Sequence, residues 1–137
     1  MHYGLTSTDG VHWIEVYDTS YNTVCWSKEL AIFVALGAPA SSTGIAISSD
    51  GINWTPYTSS FASNYNLSHV SWFPTINKFI ATYGISSTIG GFLTSSDGIT
   101  WTNIAMLSAL PVNVAYSETL GIFLSTGTTT SVKLILK

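Results

Sequence analysis

The sequence predicts an all-β fold, a β-propeller built of four-stranded units, on three observations. The motif S-x-D-G-x-x-W occurs three times, as Ser7-Asp9-Gly10-Trp13, Ser48-Asp50-Gly51-Trp54 and Ser95-Asp97-Gly98-Trp101. A second motif alternates with it. Val24 and Trp26, Val70 and Trp72, and Val114 and Tyr116 are each followed four residues after the aromatic by Leu30, Ile76 or Leu120. Seven residues after the aromatic comes Phe33, Phe79 or Phe123, with Gly37, Gly84 or Gly127 close behind. The third observation is negative: Gly, Pro, Ser and Thr interrupt every window that could hold a helical period. A repeat of about 40–47 residues is the content of four short strands, one propeller blade.

The elements follow in order from alternation and turn chemistry. Residues 3–7 and 12–16 form an opening hairpin. The next unit has strands at 23–27, 31–36, 44–48 and 53–57, and the one after it at 69–73, 78–83, 91–95 and 100–104. A last pair covers 112–117 and 121–126. The tail at 131–136, SVKLIL, is itself an apolar strand and competes with the start of the chain for one strand position. The chain reads as a single propeller-repeat domain over 1–137, with units at about 1–22 (partial), 23–57, 69–104 and 112–137 (partial). Each Asp-Gly pair lies where the third strand of a unit reverses into the fourth, because both residues tolerate positive φ and the carboxylate accepts amides of its own turn. The Trp three residues on is expected on the fourth strand, covering the turn. Burying such a ring stabilises the fold by roughly 2–3 kcal/mol.

These turns resemble the Asp box of sialidase-type (BNR) propellers, S/T-x-D-x-G-x-x-W, although here Asp and Gly are adjacent and the loop is one residue shorter. The full unit looks like the short-blade repeats of phage and bacterial surface proteins, and the resemblance covers about residues 3–126. It implies a propeller fold with Asp9, Asp50 and Asp97 structural, on the rim. It does not imply sialidase activity, because those enzymes hold the substrate carboxylate with three Arg and this chain has none.

Composition narrows the function classes. Four Lys and no Arg cannot make a phosphate-tracking surface, so nucleic acid is excluded as a partner. No apolar run reaches the length of a membrane span. The start of the chain lacks the basic and apolar segments of a secretory signal; an extracellular or virion-surface location is nevertheless the expectation for a protein of this kind. Charged residues are 8% of the chain, and 38 Ser and Thr supply the polar surface instead. A lone Cys25 gives neither an intrachain disulfide nor a thiolate metal cluster. The three His have no metal-ligand spacing, and no cofactor is expected. Propellers close with 4 to 8 blades, so three repeats predict self-association. A homodimer with six blades is expected, with a homotrimer as the alternative.

The expected binding face carries the connections from fourth to first strands, which hold Tyr17, Asp18, Tyr21, Asn22, Tyr57, Asn64, Tyr65 and Asn66. Tyr rings can stack on a pyranose while amide and carboxylate groups satisfy its hydroxyls. The sequence therefore predicts a non-enzymatic, lectin-like module that recognises glycans. The alternative is a structural component of a phage, viral or bacterial surface assembly. A glycan-processing hydrolase comes last, for want of a free acid pair. Cys25 is expected buried and inert, and Glu29 and Glu118 in solvated turns.

Overall fold

The computed structural model describes residues 3–18, 21–37, 44–58, 61, 64–127 and 132–134, with residues 3, 17, 18 and 132–134 described by backbone alone. It is all-β. Strands β1 (Tyr3–Thr6) and β2 (Ile14–Asp18) pair as a hairpin. Strands β3 (Tyr21–Ser27), β4 (Ile32–Gly37), β5 (Ile45–Ser48) and β6 (Thr55–Tyr57) form an antiparallel meander. Strands β7 (Asn66–Phe73), β8 (Lys78–Gly84), β9 (Gly90–Ser95) and β10 (Thr102–Leu107) form a second, with the 3-10 turn Pro74–Ile76 between β7 and β8. Strands β11 (Ala115–Ser117), β12 (Ile122–Ser125) and β13 (Val132–Leu134) make a three-stranded sheet. Among the described residues the four sheets do not close into a barrel.

The sheets stack face on face. Val34, Leu36 and Ile45 of one sheet meet Leu67, Val70, Phe79 and Trp101 of the next in one core. A second core joins Ile80 and Phe92 to Val114 and Phe123 of the three-stranded sheet. This sandwiching explains why β4 and β8 read as near-continuous apolar runs rather than alternating ones: both of their faces are covered. Among the described residues every buried side-chain N or O has a hydrogen-bond partner. Thr82, fully buried, shares a 2.9 Å hydrogen bond with the Ser68 hydroxyl.

Several boundaries differ from the sequence reading. The motif Trp residues, expected within the fourth strands, stand one residue before them, since β2, β6 and β10 begin at Ile14, Thr55 and Thr102. Strands β3 and β7 begin earlier than expected, so Tyr21, Asn22 and Asn66 are strand residues, not loop residues. The last pair is shorter than expected. Thr126 lies beyond the end of β12; Asn113 Oδ1 accepts its N–H at 3.3 Å and its hydroxyl at 2.8 Å, while its carbonyl accepts the Val112 N–H at 2.8 Å. The tail resolves its competition by pairing β13 with β12, Phe123 lying opposite Leu134. Within one chain, then, the edge of β12 is taken by the tail and not by β1.

The turns joining β3 to β4, β7 to β8 and β11 to β12 share a backbone device. Ala31, Asn77 and Gly121, equivalent in the repeat, hold φ of 52°, 50° and 62°. Left-handed backbone costs an L-residue roughly 1–2 kcal/mol, least for Asn and nothing for Gly. Ala31→Gly is therefore expected to stabilise the fold by about 0.5–1 kcal/mol. Gly121→Ala, whose added Cβ would meet nothing within 4 Å, is expected to destabilise it by about 1 kcal/mol from φ alone. Denaturant midpoints of the two variants check both signs.

Candidate functional site

The three Asp-Gly turns are built alike. The Ser7, Ser48 and Ser95 hydroxyls donate to Asp Oδ1 at 3.0, 3.0 and 2.9 Å. Each hydroxyl accepts the motif Gly N–H at 2.8–2.9 Å. Each Asp Oδ1 accepts the next two amides at 2.7–2.8 Å. Gly10, Gly51 and Gly98 hold φ of 73°, 74° and 78°, as the tight reversal requires. The second carboxylate oxygen takes His12 Nδ1 at 2.7 Å in the first turn and Asn53 Nδ2 at 2.8 Å in the second. All three carboxylates are thus committed inside their own loops.

The same bonds hold these carboxyls below the usual carboxylate range. For Asp9 the His12 side chain contributes most, then the His12 and Val11 amides. For Asp50 the Asn53 side chain leads, then the Asn53 and Ile52 amides. For Asp97 burial is the largest influence and opposes the shift, but the Thr100 and Ile99 amides and the Ser95 and Thr100 hydroxyls together outweigh it. A carboxyl with a lowered folded-state pKa contributes stability that is complete above its ordinary value of 3.8 and is lost as pH falls toward the folded value. Thermal midpoints are expected to hold between about pH 7 and pH 5 and to fall steeply below about pH 4. Asp50→Asn should flatten that acid limb while lowering the neutral-pH midpoint.

The expected binding residues are only partly assembled. Asn22 and Asn66 do meet: Asn22 Nδ2 donates to Leu67 O at 3.2 Å and to Asn66 Oδ1 at 3.5 Å, across two sheets. The Tyr65 ring stacks on Tyr83 at 4.1 Å between centroids and on Phe61 at 6.2 Å, so both its faces are occupied. Its hydroxyl accepts Asn103 Nδ2 at 3.2 Å. Tyr57 packs on the first core, and the Tyr21 hydroxyl donates to Ile45 O at 3.4 Å. Asn64 is exposed. The side chains of Tyr17 and Asp18 lie outside the described residues; their backbone ends β2.

Asn66 leads to a cleft that sequence reasoning did not single out. It has a volume of about 390 Å³ and opens between the second four-stranded sheet and the β10–β11 connection. It is lined by Asn66 and Ser68 of β7, Gly84 of β8, Ile85 and Ser86 of the β8–β9 connection, and Leu110, Pro111 and Val112 of the β10–β11 connection. It lies among the β8–β9 and β10–β11 connections, the side of the fold on which binding was expected. No lining residue is ionisable. The legible signal was the apolar stretch at 105–111, of which β10 absorbs the first three residues, leaving Leu110 and Pro111 among the residues that line the cleft.

Other singled-out groups have definite partners. Glu29, expected in a solvated turn, accepts the Trp72 indole N–H at 2.6 Å, and Glu118 accepts the Thr75 hydroxyl. Both acids therefore tie neighbouring sheets together. Cys25 is half-buried against the first core, and burial pushes its thiol up to about 12. His69, expected at a strand start, lies inside β7, where its Nε2 is 2.8 Å from the Ser71 hydroxyl; burial lowers its pKa. Among the described residues no group of three or more His, Cys, Asp or Glu could hold a metal ion, and no helix is long and apolar enough to cross a membrane. No family model matches the chain, and a search of curated proteins returns no match.

Proposed function

We propose that the sheets are blades of an Asp-box-type β-propeller whose ring is completed by other copies, and that the assembly is a non-enzymatic, lectin-like module. A homodimer with six blades is the expected form and a homotrimer the alternative. The blade reading draws on the meander order of the two four-stranded sheets, on their face-to-face stacking and on the three equivalent turns.

The observation that carries the ligand reading is the cleft beside Asn66. Its volume falls in the range of small-molecule sites. The Asn66 amide and the Ser68 and Ser86 hydroxyls in the lining suit the hydroxyls of a neutral sugar, and the aliphatic Ile85, Leu110, Pro111 and Val112 suit its C–H face. A lining without charge favours a neutral saccharide over a sialylated or phosphorylated one. Weak single-site affinity would be raised by repetition around the assembly. An extracellular or virion-surface location accords with such a role.

A glycan array followed by titration of the best neutral saccharide tests this. Asn66→Ala and Val112→Trp, the second filling the cleft from an exposed position, are each expected to weaken binding at least tenfold without shifting the melting temperature by more than a few degrees. Full affinity in both variants would remove the site. An array with no hit, from protein that still assembles, would favour the second reading, a structural component of a surface assembly. That reading draws on the low charge and on the apolar side chains left open at the two ends of the chain.

A further inference from the structure

We infer that the β1–β2 hairpin of one copy completes the β11–β12 sheet of a second copy, taking the edge that the second copy's own β13 occupies in the single chain. The inference rests on the self-association just proposed and deepens it by naming the strands, the register and the element displaced.

The first argument is what the hairpin lacks. In the two four-stranded sheets the motif Gly sits on the Phe of its own second strand: a Cβ at Gly51 or Gly98 would lie 3.6 Å from the Phe33 or Phe79 ring. The motif Trp leans on the same ring, Trp54 6.3 Å from Phe33 and Trp101 6.2 Å from Phe79. The hairpin has the same turn, but among the described residues β1 pairs with β2 alone. A Cβ at Gly10 would meet nothing within 4 Å, and Trp13 is 57% exposed where Trp101 is 6%. Phe123 is the repeat's remaining Phe, and the described rings beside it are Phe73 and Tyr116.

The second argument is which apolar groups face solvent. Val34 and Ile80, each one residue past its Phe, are fully buried by the next sheet; Leu124 at the same place is 53% exposed. Val70 and Val114 are buried by the preceding sheet; Val24 at the same place is 56% exposed. Putting the hairpin of one copy beside β12 of another brings the first copy's Val24 over the second copy's Leu124. An apolar hollow of about 300 Å³ beside Tyr116, Leu120 and Leu124 waits on that face. Each unburied position has its complement at the other end of the same chain. A second copy is therefore the occupant that the internal sheet-to-sheet contacts specify.

The ladders fix the register. Phe33 pairs with Ser48 and Phe79 with Ser95, the motif Ser in each case. By equivalence Phe123 of one copy faces Ser7 of the other, Leu124 faces Thr6 and Ser125 faces Leu5. In the single chain these three are opposite Leu134, Lys133 and Val132. The tail therefore caps an edge strand that would otherwise template uncontrolled pairing, and it yields to a hairpin that brings a full motif turn with it.

The test mixes two full-length variants in a Cys25→Ala background, Thr6→Cys and Leu124→Cys, co-refolds them and oxidises them. Disulfide-linked species of twice the chain mass are expected, at least tenfold more than from Leu5→Cys with Leu124→Cys, because Leu5 points to the opposite face. Adding Lys133→Pro to the Leu124→Cys chain should leave the yield unchanged or raise it. A yield that falls with Lys133→Pro would show β13 to be part of the assembled edge and overturn the displacement. Light scattering separates this inference from the wider reading. An oligomeric mass with equal linking in both pairs overturns the hairpin exchange alone; a single-chain mass of 14.7 kDa overturns self-association with it. Sugar titration reads the cleft beside Asn66, so its outcome is independent of both.

Discussion

Trp101→Ala is expected to destabilise the fold by about 3–5 kcal/mol, a large part of the roughly 5–15 kcal/mol that holds a domain of this size. The ring is almost wholly buried between two sheets, in the core that includes Val34, Phe79 and Leu93. Its indole N–H donates to Gly98 O at 2.9 Å, so truncation both empties a cavity and leaves a buried carbonyl without its donor. The three motif Trp residues form a graded series from one sequence pattern. Trp54 is half-buried, and Trp13 is mostly exposed. Trp54→Ala should cost less than Trp101→Ala, and Trp13→Ala about 0.5 kcal/mol or less in dilute single chains. Urea titrations of the three variants give the order, and equal midpoints would show that the sheets do not stack as described.

Gly91→Ala is expected to cost about 3 kcal/mol or more and to leave little folded protein at 37 °C. Its φ is not the reason. A Cβ there would lie 2.0 Å from Ala105 O and 2.7 Å from the Tyr83 hydroxyl. The first obstacle is backbone of the neighbouring strand β10 and cannot rotate away. The second is a hydroxyl that takes the Asn103 amide at 2.6 Å, next to the stacked Tyr65 ring. Gly10→Ala is the contrast: its φ is 73° but its surroundings are open, so the cost should stay near 1 kcal/mol. Circular dichroism melts of the pair separate a steric demand for glycine from a conformational one.

The two glycines also mark how far the sequence could be read. The Asp-Gly turns were legible because their chemistry is local: a carboxylate, a hydroxyl and a residue free to adopt positive φ, all within four positions. The demand at Gly91 was not, because the carbonyl that forbids a Cβ belongs to Ala105, on the adjoining strand. Glu29 and Glu118 divide the same way. Their place in the turns was readable, but the indole N–H that Glu29 accepts comes from Trp72 of β7, and the hydroxyl that Glu118 accepts from Thr75 in the 3-10 turn after it. Tyr65 was readable as an aromatic among amides. That both its faces are covered by Phe61 and Tyr83 depends on a stack built from three separate segments.

The sequence by itself determined the all-β class, the order and approximate place of the strands, and the three Asp-Gly reversals. Each of these follows from periodicity or from bonds between near neighbours in the chain. Only the tertiary structure decided that β13 takes the edge of β12, which apolar faces stay open at the two ends, and that the cleft lies beside Asn66. Those outcomes depend on which sheet lies against which, and residues far apart in the chain carry no local mark of that pairing until the layers have stacked.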